Sequence, residues 1–347
     1  EIRSDLDPNM WQTIGQPEAQ TLLKSSLEKG KLAHAYLFVG PQHVGKTTLA
    51  IDLARELNCQ NTDPPCGECN SCLRVIDGKH ADVVRVDLNQ GRSPSDNTKT
   101  KISIDDIREL ERHASLSPYE GKFKVFIIND VETLSDEAAN CFLKTLEEPP
   151  SGVIFLLLTS DESKLLPTLV SRCQRIELKP IPYRDIEKIL IESRGIEEKR
   201  AKFLARLSGG CLGWALTVSV DESPLQKRAQ KLSELFPLLR AGWEERFAYA
   251  AQIENDRKAV KELICLWITW WHDVMLVKCN CIEAIINIDY IDLLHEWARV
   301  LDLADIKNYI HRLEESLKNI SKNANLHLLI DVLMLDMPGR RDKLGTR

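Results

Sequence analysis

Residues 40–47, Gly-Pro-Gln-His-Val-Gly-Lys-Thr, fit the spacing G-x-x-x-x-G-K-[ST]. The fit gains weight from its surroundings, an apolar run at Ala35 to Val39 before it and a helix-period stretch after Gly45. A strand, a glycine loop and a helix in that order constrain the chain strongly, because the strand must join a largely parallel sheet whose helices pack on its faces. The loop also carries its own chemistry. Its backbone N–H groups and the positive end of the following helix can cradle phosphates, Lys46 can reach the β and γ phosphates, and the Thr47 hydroxyl can hold Mg²⁺. Gly40, Gly45, Lys46, Thr47 and Thr48 are therefore nominated as ligands for ATP or ADP with Mg²⁺.

The rest of the first half agrees with an α/β layer. Candidate strands run over Ala35 to Val39, Val83 to Leu88, Lys124 to Asn129, Val153 to Thr159 and Arg175 to Leu178, with helices after Gly45, Ile104 and Ser135. Three of these strands are nearly unbroken apolar runs, as strands covered on both faces require. P-loop enzymes place a metal-holding aspartate at the end of a neighbouring strand. Here the first polar position after Val125-Phe-Ile-Ile is the amide Asn129, followed by Asp130. An amide is a weaker Mg²⁺ ligand than a carboxylate, so nucleotide binding with poor or absent hydrolysis is expected; the alternative is that Asp130 takes over the metal role.

After Lys179-Pro-Ile-Pro182 the strand signal stops and the chain reads as helix up to Met337. Three short helices, Tyr183 to Ser193, Glu197 to Leu207 and Cys211 to Val220, are set off by Gly195 and Gly209-Gly210. Longer amphipathic helices then carry most of the tryptophans, and Trp267, Trp270 and Trp271 fall at core or interface spacing. The expected division is 1–178, 179–222 and 223–340, which suits the 347 residues. Gln90 to Lys101 reads as a polar, mobile loop. With 43% hydrophobic and 28% charged residues, neither disorder nor a fibrous chain is in play. The net charge of -6 lacks the basic surplus of a stand-alone nucleic-acid binder, so any DNA contact must be local or shared. No apolar run reaches the 18 or so residues of a membrane span, and the start, EIRSDLDPNM, has neither the basic nor the apolar region of a secretory signal.

Four of the ten cysteines, Cys59, Cys66, Cys69 and Cys72, have the spacing C-x6-C-x2-C-x2-C, with Pro64, Pro65 and Gly67 supplying turns. Four thiolates close one tetrahedral shell around Zn²⁺ and leave no position for water, so the expected role is to brace a module over 58–75. A redox C-x-x-C pair would want a thioredoxin-like setting, which is absent. The other six, at 141, 173, 211, 265, 279 and 281, read as buried thiols of a reducing cytosol.

Taken in order, these motifs resemble the clamp-loader branch of the AAA+ ATPases, and within it the delta-prime type of subunit in bacterial DNA polymerase III. The resemblance runs nearly the length of the chain. It rests on His34-Ala-Tyr-Leu-Phe-Val-Gly-Pro entering the P-loop, the four-cysteine insert, Ala138-Ala-Asn-Cys-Phe-Leu-Lys-Thr-Leu-Glu-Glu-Pro-Pro150, Ser171-Arg-Cys173 and Asn323-Ala-Asn-Leu-His-Leu-Leu-Ile-Asp-Val-Leu-Met. It implies a RecA-like parallel sheet with the zinc insert, a small helical lid and an all-α collar that joins subunits into a hetero-pentamer. The implied partners are gamma/tau-type and delta-type subunits, a sliding clamp and primer–template DNA, in the cytoplasm. By the same resemblance Arg172 is a finger entering the neighbour's ATP site, and Thr159 is the residue that senses a γ-phosphate. Gly213 stands where hydrolysing members carry a lid arginine. Asn129, Asp130 and Gly213 together imply a subunit with little or no hydrolysis of its own. His43, in place of a usual loop glycine, weakens the nucleotide site further. The competing readings are a catalytic gamma/tau-type ATPase, which Gly213 opposes, and a P-loop regulator outside replication, which would have no use for Ser171-Arg172-Cys173.

Overall fold

The computed structural model describes residues 10–87, 101–253, 256–322 and 324–339, and they divide into two compact units. The first comprises residues up to 195 together with 210–214; the second comprises 196–209 and the residues from 215 onward. Residues 90–100 of the loop expected over Gln90 to Lys101, and the first nine residues, lie outside the described residues.

The first unit is built on five parallel strands, β1 (Ala35–Val39), β2 (Val83–Val86), β3 (Lys124–Ile128), β4 (Val153–Thr159) and β5 (Gln174–Glu177), in the order β2-β3-β4-β1-β5. Its helices are α1 (Pro17–Glu28), α2 (Lys46–Asn58), α3 (Asn70–Ile76), α4 (Ile104–Ala114), α5 (Asp136–Glu147), α6 (Pro167–Val170) and α7 (Tyr183–Arg194). The alternation of side chains along each strand divides the apolar residues between two cores. Tyr36, Phe38, Val125, Ile127, Leu156 and Leu158 meet the apolar sides of α1 and α2 on one face. Leu37, Phe126, Ile128, Phe155 and Leu157 meet α4 and α5 on the other, where Phe155 packs edge-on against Phe142 at 5.2 Å. This double coverage is why β3 and β4 are buried throughout. Helix starts are fixed locally. A capping box joins Ser103 and Asp106 at α4, and the Ser135 hydroxyl accepts from the Ala138 N–H at α5.

The second unit contains α8 (Glu198–Leu207), most of α9 (Leu212–Val220), α10 (Ser223–Leu238), α11 (Trp243–Gln252), α12 (Arg257–Lys278), α13 (Ile291–Val300), α14 (Leu303–Ser321) and α15 (Leu326–Asp336). On α12 the residues Trp267, Trp270, Trp271 and Val274 recur at helical spacing and are all buried, so the indoles belong to the core. Trp271 lies edge-on to Tyr309 at 5.3 Å. Arg246 is also buried, and its guanidinium donates to the carbonyls of Leu238, Met334 and Met337 at 3.0, 3.2 and 2.7 Å, closing the ends of α10 and α15.

The six scattered cysteines correct the expectation of buried thiols. Cys141, Cys173 and Cys211 are half-buried, and Cys265, Cys279 and Cys281 are exposed. Apolar neighbours in sequence misled because a helix turns adjacent residues to different sides: Cys265 follows buried Ile264 on α12 yet points elsewhere. Cys279 and Cys281 flank Asn280 in a left-handed turn past the end of that helix. Among the described residues no helix is long and apolar enough to cross a membrane.

Candidate nucleotide and metal sites

β1 lies inside the sheet, between β4 and β5, so the loop that leaves it opens at the carboxyl ends of the strands, where α/β sheets hold ligands. Gly40 begins the loop, and its N–H is bound to the Thr159 carbonyl of β4 at 3.2 Å. A side chain there would strike the Leu178 carbonyl, since a Cβ would lie 2.5 Å from it. Gly45, at φ +111°, turns the chain into α2, whose first N–H groups are thereby aimed at the loop. His43 adopts φ +62°, the left-handed conformation that a glycine accepts more readily.

Lys46 folds over the loop, its Nζ donating to the carbonyls of Gly40 at 2.6 Å and Pro41 at 2.8 Å. Burial pulls its pKa down, and the negative charges of Glu132 and Asp130 partly restore it. The Thr47 hydroxyl lies 3.4 Å from Asn129 Oδ1, and the Asn129 amide in turn donates to Asp87. Asp130, at φ +48°, follows β3 and leads into a 3₁₀ turn over Val131–Thr133. Burial and the nearby Glu132 both push its carboxyl above the ordinary range, against the pull of Lys46. The loop, Lys46, Thr47, Asn129 and Asp130 are thus gathered in one place. The donor set, the start of α2 with one ammonium and one hydroxyl, suits a phosphate chain.

Sequence reading gave Glu132 no part in this site. Its carboxylate accepts the Thr159 hydroxyl at 2.7 Å, the Ser160 hydroxyl at 2.6 Å and the Ser160 N–H at 3.1 Å. Burial opposes its charge, yet those donors together hold the carboxyl below its ordinary pKa. Thr159 is fully buried and also accepts the Asp161 N–H at 3.0 Å, so its hydroxyl is bonded on both sides. The sequence signal was the acid two places beyond Asp130; its partner on β4 becomes visible only in the fold.

Gly213, in the first turn of α9, donates its N–H to the His43 carbonyl at 3.0 Å. A Cβ at this position would lie 2.8 Å from that same oxygen. The P-loop and the start of α9 therefore touch backbone to backbone.

Arg172 follows α6 and is about one-third exposed. Its Nη1 donates to the Thr168 carbonyl at 2.8 Å and its Nη2 to Glu147 Oε1 at 2.5 Å. None of these partners belongs to the P-loop. Beside it, burial pushes the Cys173 thiol up to about 12, so that cysteine packs as a neutral group.

The sulfurs of Cys59, Cys66, Cys69 and Cys72 all lie within 4.8 Å of one another, and three of the four residues are buried. Successive N–H groups point at them: Cys66 N to Cys59 Sγ at 3.5 Å, Cys69 N to Cys66 Sγ at 3.3 Å and Cys72 N to Cys69 Sγ at 3.4 Å. Such donors stabilise thiolates. Burial works against the Cys69 thiolate, but N–H groups of Gln60 and Cys72 bring it to about 7; burial pushes Cys72 up to about 12. The four together form a cluster that can hold a metal ion. α3 is tied to the end of α2 and to the loop before β2 through Ser71, whose hydroxyl donates to the Asn58 carbonyl at 2.6 Å and lies 3.1 Å from His80 Nε2.

The sequence profile of the family described as "DNA polymerase III, delta subunit" matches residues 15–182. The DNA polymerase III subunit tau of Escherichia coli K12 is 38% identical over 213 residues, covering 59% of this chain and 32% of that protein. The chain thus spans about a third of the length of the tau relatives it matches. DNA polymerase III subunit delta′ of Bacillus subtilis is 28% identical over 329 residues, 92% of this chain and 95% of that one. Among solved structures, a gamma subunit-related protein of Thermotoga maritima aligns over 91% of this chain and 97% of its own at 22% identity, with a TM-score of 0.41. The P-loop site, the sheet that carries it and the near end-to-end match with a delta′ protein agree, and the chain belongs to the DNA polymerase III clamp-loader family.

Proposed function

We propose that this chain is a delta′-type clamp-loader subunit that helps load a sliding clamp on primed DNA in the cytoplasm and supplies Arg172 to the ATP site of a neighbouring subunit, with little or no hydrolysis at its own. The contact between Gly213 and His43 carries the reading. Where a hydrolysing member would set a lid arginine over the phosphates, this chain has a glycine whose N–H meets the loop carbonyl at 3.0 Å, with no room for a side chain. The amide Asn129 points the same way, because it offers Mg²⁺ a neutral oxygen that is already within reach of Thr47.

In this reading Gly40, Gly45, Lys46, Thr47 and Thr48 hold ATP or ADP, with Asp130 beside Mg²⁺, and Thr159 would sense the γ-phosphate only by releasing its hydroxyl from Glu132. Arg172 acts in trans. A planar, permanently charged guanidinium stabilises the charge of phosphoryl transfer, an effect of about 10³–10⁵ in rate where it has been removed from other enzymes. Cys59, Cys66, Cys69 and Cys72 hold a structural Zn²⁺ that braces 58–75. Residues 179–222 form the lid, and 223–340 form the collar that joins gamma/tau-type and delta-type subunits in a hetero-pentamer.

The 38% identity to tau favours a second reading, a catalytic gamma/tau-type ATPase using Asp130. Steady-state ATPase separates the two. The chain alone should turn over almost no ATP, and Arg172→Ala should sharply lower clamp- and DNA-stimulated turnover of the reconstituted loader. Appreciable turnover by the isolated chain, abolished by Lys46→Ala, would favour the second reading; unchanged loader turnover with Arg172→Ala would remove the finger.

A further inference from the structure

Arg172 and Glu147 form an ion pair across two elements, and its placement is unusual. Glu147 is the last residue of α5, the end at which a helix presents its carbonyls and repels an anion. An acid in that position costs the isolated helix stability, whereas a lysine or arginine would gain it. The cost is offset by Arg172, whose Nη2 meets Glu147 Oε1 at 2.5 Å. The same guanidinium is gripped on its other branch, Nη1 reaching the Thr168 carbonyl at 2.8 Å and the Ser171 hydroxyl at 3.5 Å. Two elements therefore define its plane, α5 through Glu147 and α6 with the turn after it through Thr168 and Ser171. A free arginine side chain samples many rotamers, and a group that must meet a partner's phosphate loses that freedom on engagement.

We propose that Glu147 is a positioning residue for Arg172: the carboxylate holds the guanidinium in the orientation it needs before a neighbouring subunit arrives. The inference rests on the finger reading given above. Glu147 touches neither nucleotide nor reacting atoms, and acts only by setting the plane and reach of Arg172. An exposed pair of this kind is worth up to about 1 kcal/mol, or roughly a fivefold effect on rate.

The test is clamp- and DNA-stimulated ATPase of the fully reconstituted loader carrying Glu147→Ala, Glu147→Gln, Arg172→Ala or both Glu147→Ala and Arg172→Ala. Glu147→Ala should lower kcat about two- to fivefold with KM for ATP little changed, and Glu147→Gln, whose amide oxygen still accepts from Nη2, should recover part of the loss. On the Arg172→Ala background Glu147→Ala should have no further effect. A Glu147→Ala loader with unchanged or raised kcat overturns the proposal, and so does an equal loss on both backgrounds, since a carboxylate that merely stabilised α5 would act without the arginine. If Arg172→Ala alone leaves turnover intact, the finger reading fails first and the proposal with it; if Arg172→Ala acts and Glu147→Ala does not, only the proposal fails.

Discussion

Replacing Gly213 by alanine adds one methyl group at the tightest point between the P-loop and α9. The new Cβ would lie 2.8 Å from the His43 carbonyl oxygen and 3.5 Å from the His43 carbonyl carbon and Cα, all backbone atoms. No rotamer change relieves the contact, so the first turn of α9 must retreat by a few tenths of an ångström and stretch the 3.0 Å bond from the Gly213 N–H to the same oxygen. Overpacking of this sort costs about 1–3 kcal/mol, and weakening the hydrogen bond adds up to about 1. Against this, alanine gains at most about 1 kcal/mol over glycine as a helix residue. The net loss is about 1–2 kcal/mol, a factor of roughly 5–30 in a local opening equilibrium. Amide hydrogen exchange read at residues 40–47 and 212–214 should accelerate by that factor. Gly242→Ala, where nothing lies within 4 Å of the added Cβ, should leave those amides unchanged. Unaltered or slower exchange in Gly213→Ala would refute the reasoning, because the helix-propensity gain would then have outweighed the clash.

Three further outcomes follow from other contacts. Chelation of zinc should release about one equivalent per chain, measured by elemental analysis, and raise hydrogen exchange over 58–75 while the second unit keeps its protection, because metal binding is coupled to local folding. Arg246→Met should lower the urea midpoint of the second unit by the equivalent of about 2–4 kcal/mol, since three carbonyls at helix ends lose a charged donor inside the core. Asp82 takes N–H groups from Tyr119, Glu120 and Gly121 at 2.7, 2.8 and 2.7 Å. Burial alone would raise its pKa, but these donors outweigh it and hold the carboxyl below its ordinary value. A depressed folded pKa means stability that is complete above the unfolded pKa of about 3.9 and is lost as pH falls through the folded one. Asp82→Asn should therefore destabilise the first unit at pH 7 and differ little from the parent in strong acid, as denaturant titrations at the two pH values would reveal.

Local spacing determined a good deal by itself. The strand before Gly40 and the helix after Gly45 follow from apolar runs and glycine positions within one element, where covalent geometry and a fixed period decide which residues share a face. The four cysteines, at most 13 residues apart, needed only the turns between them to converge, and Trp267, Trp270 and Trp271 fell on one stripe of one helix. Tertiary structure alone decided the rest. Glu132 meets Thr159 across 27 residues and Arg172 meets Glu147 across 25, while the Arg246 guanidinium reaches the Met337 carbonyl across 91. Such partners depend on how separate elements pack, a property no local pattern encodes. The same reason explains the thiols of Cys265, Cys279 and Cys281: an apolar neighbourhood in sequence fixes neither the side of a helix on which a residue lies nor whether another element arrives to cover it.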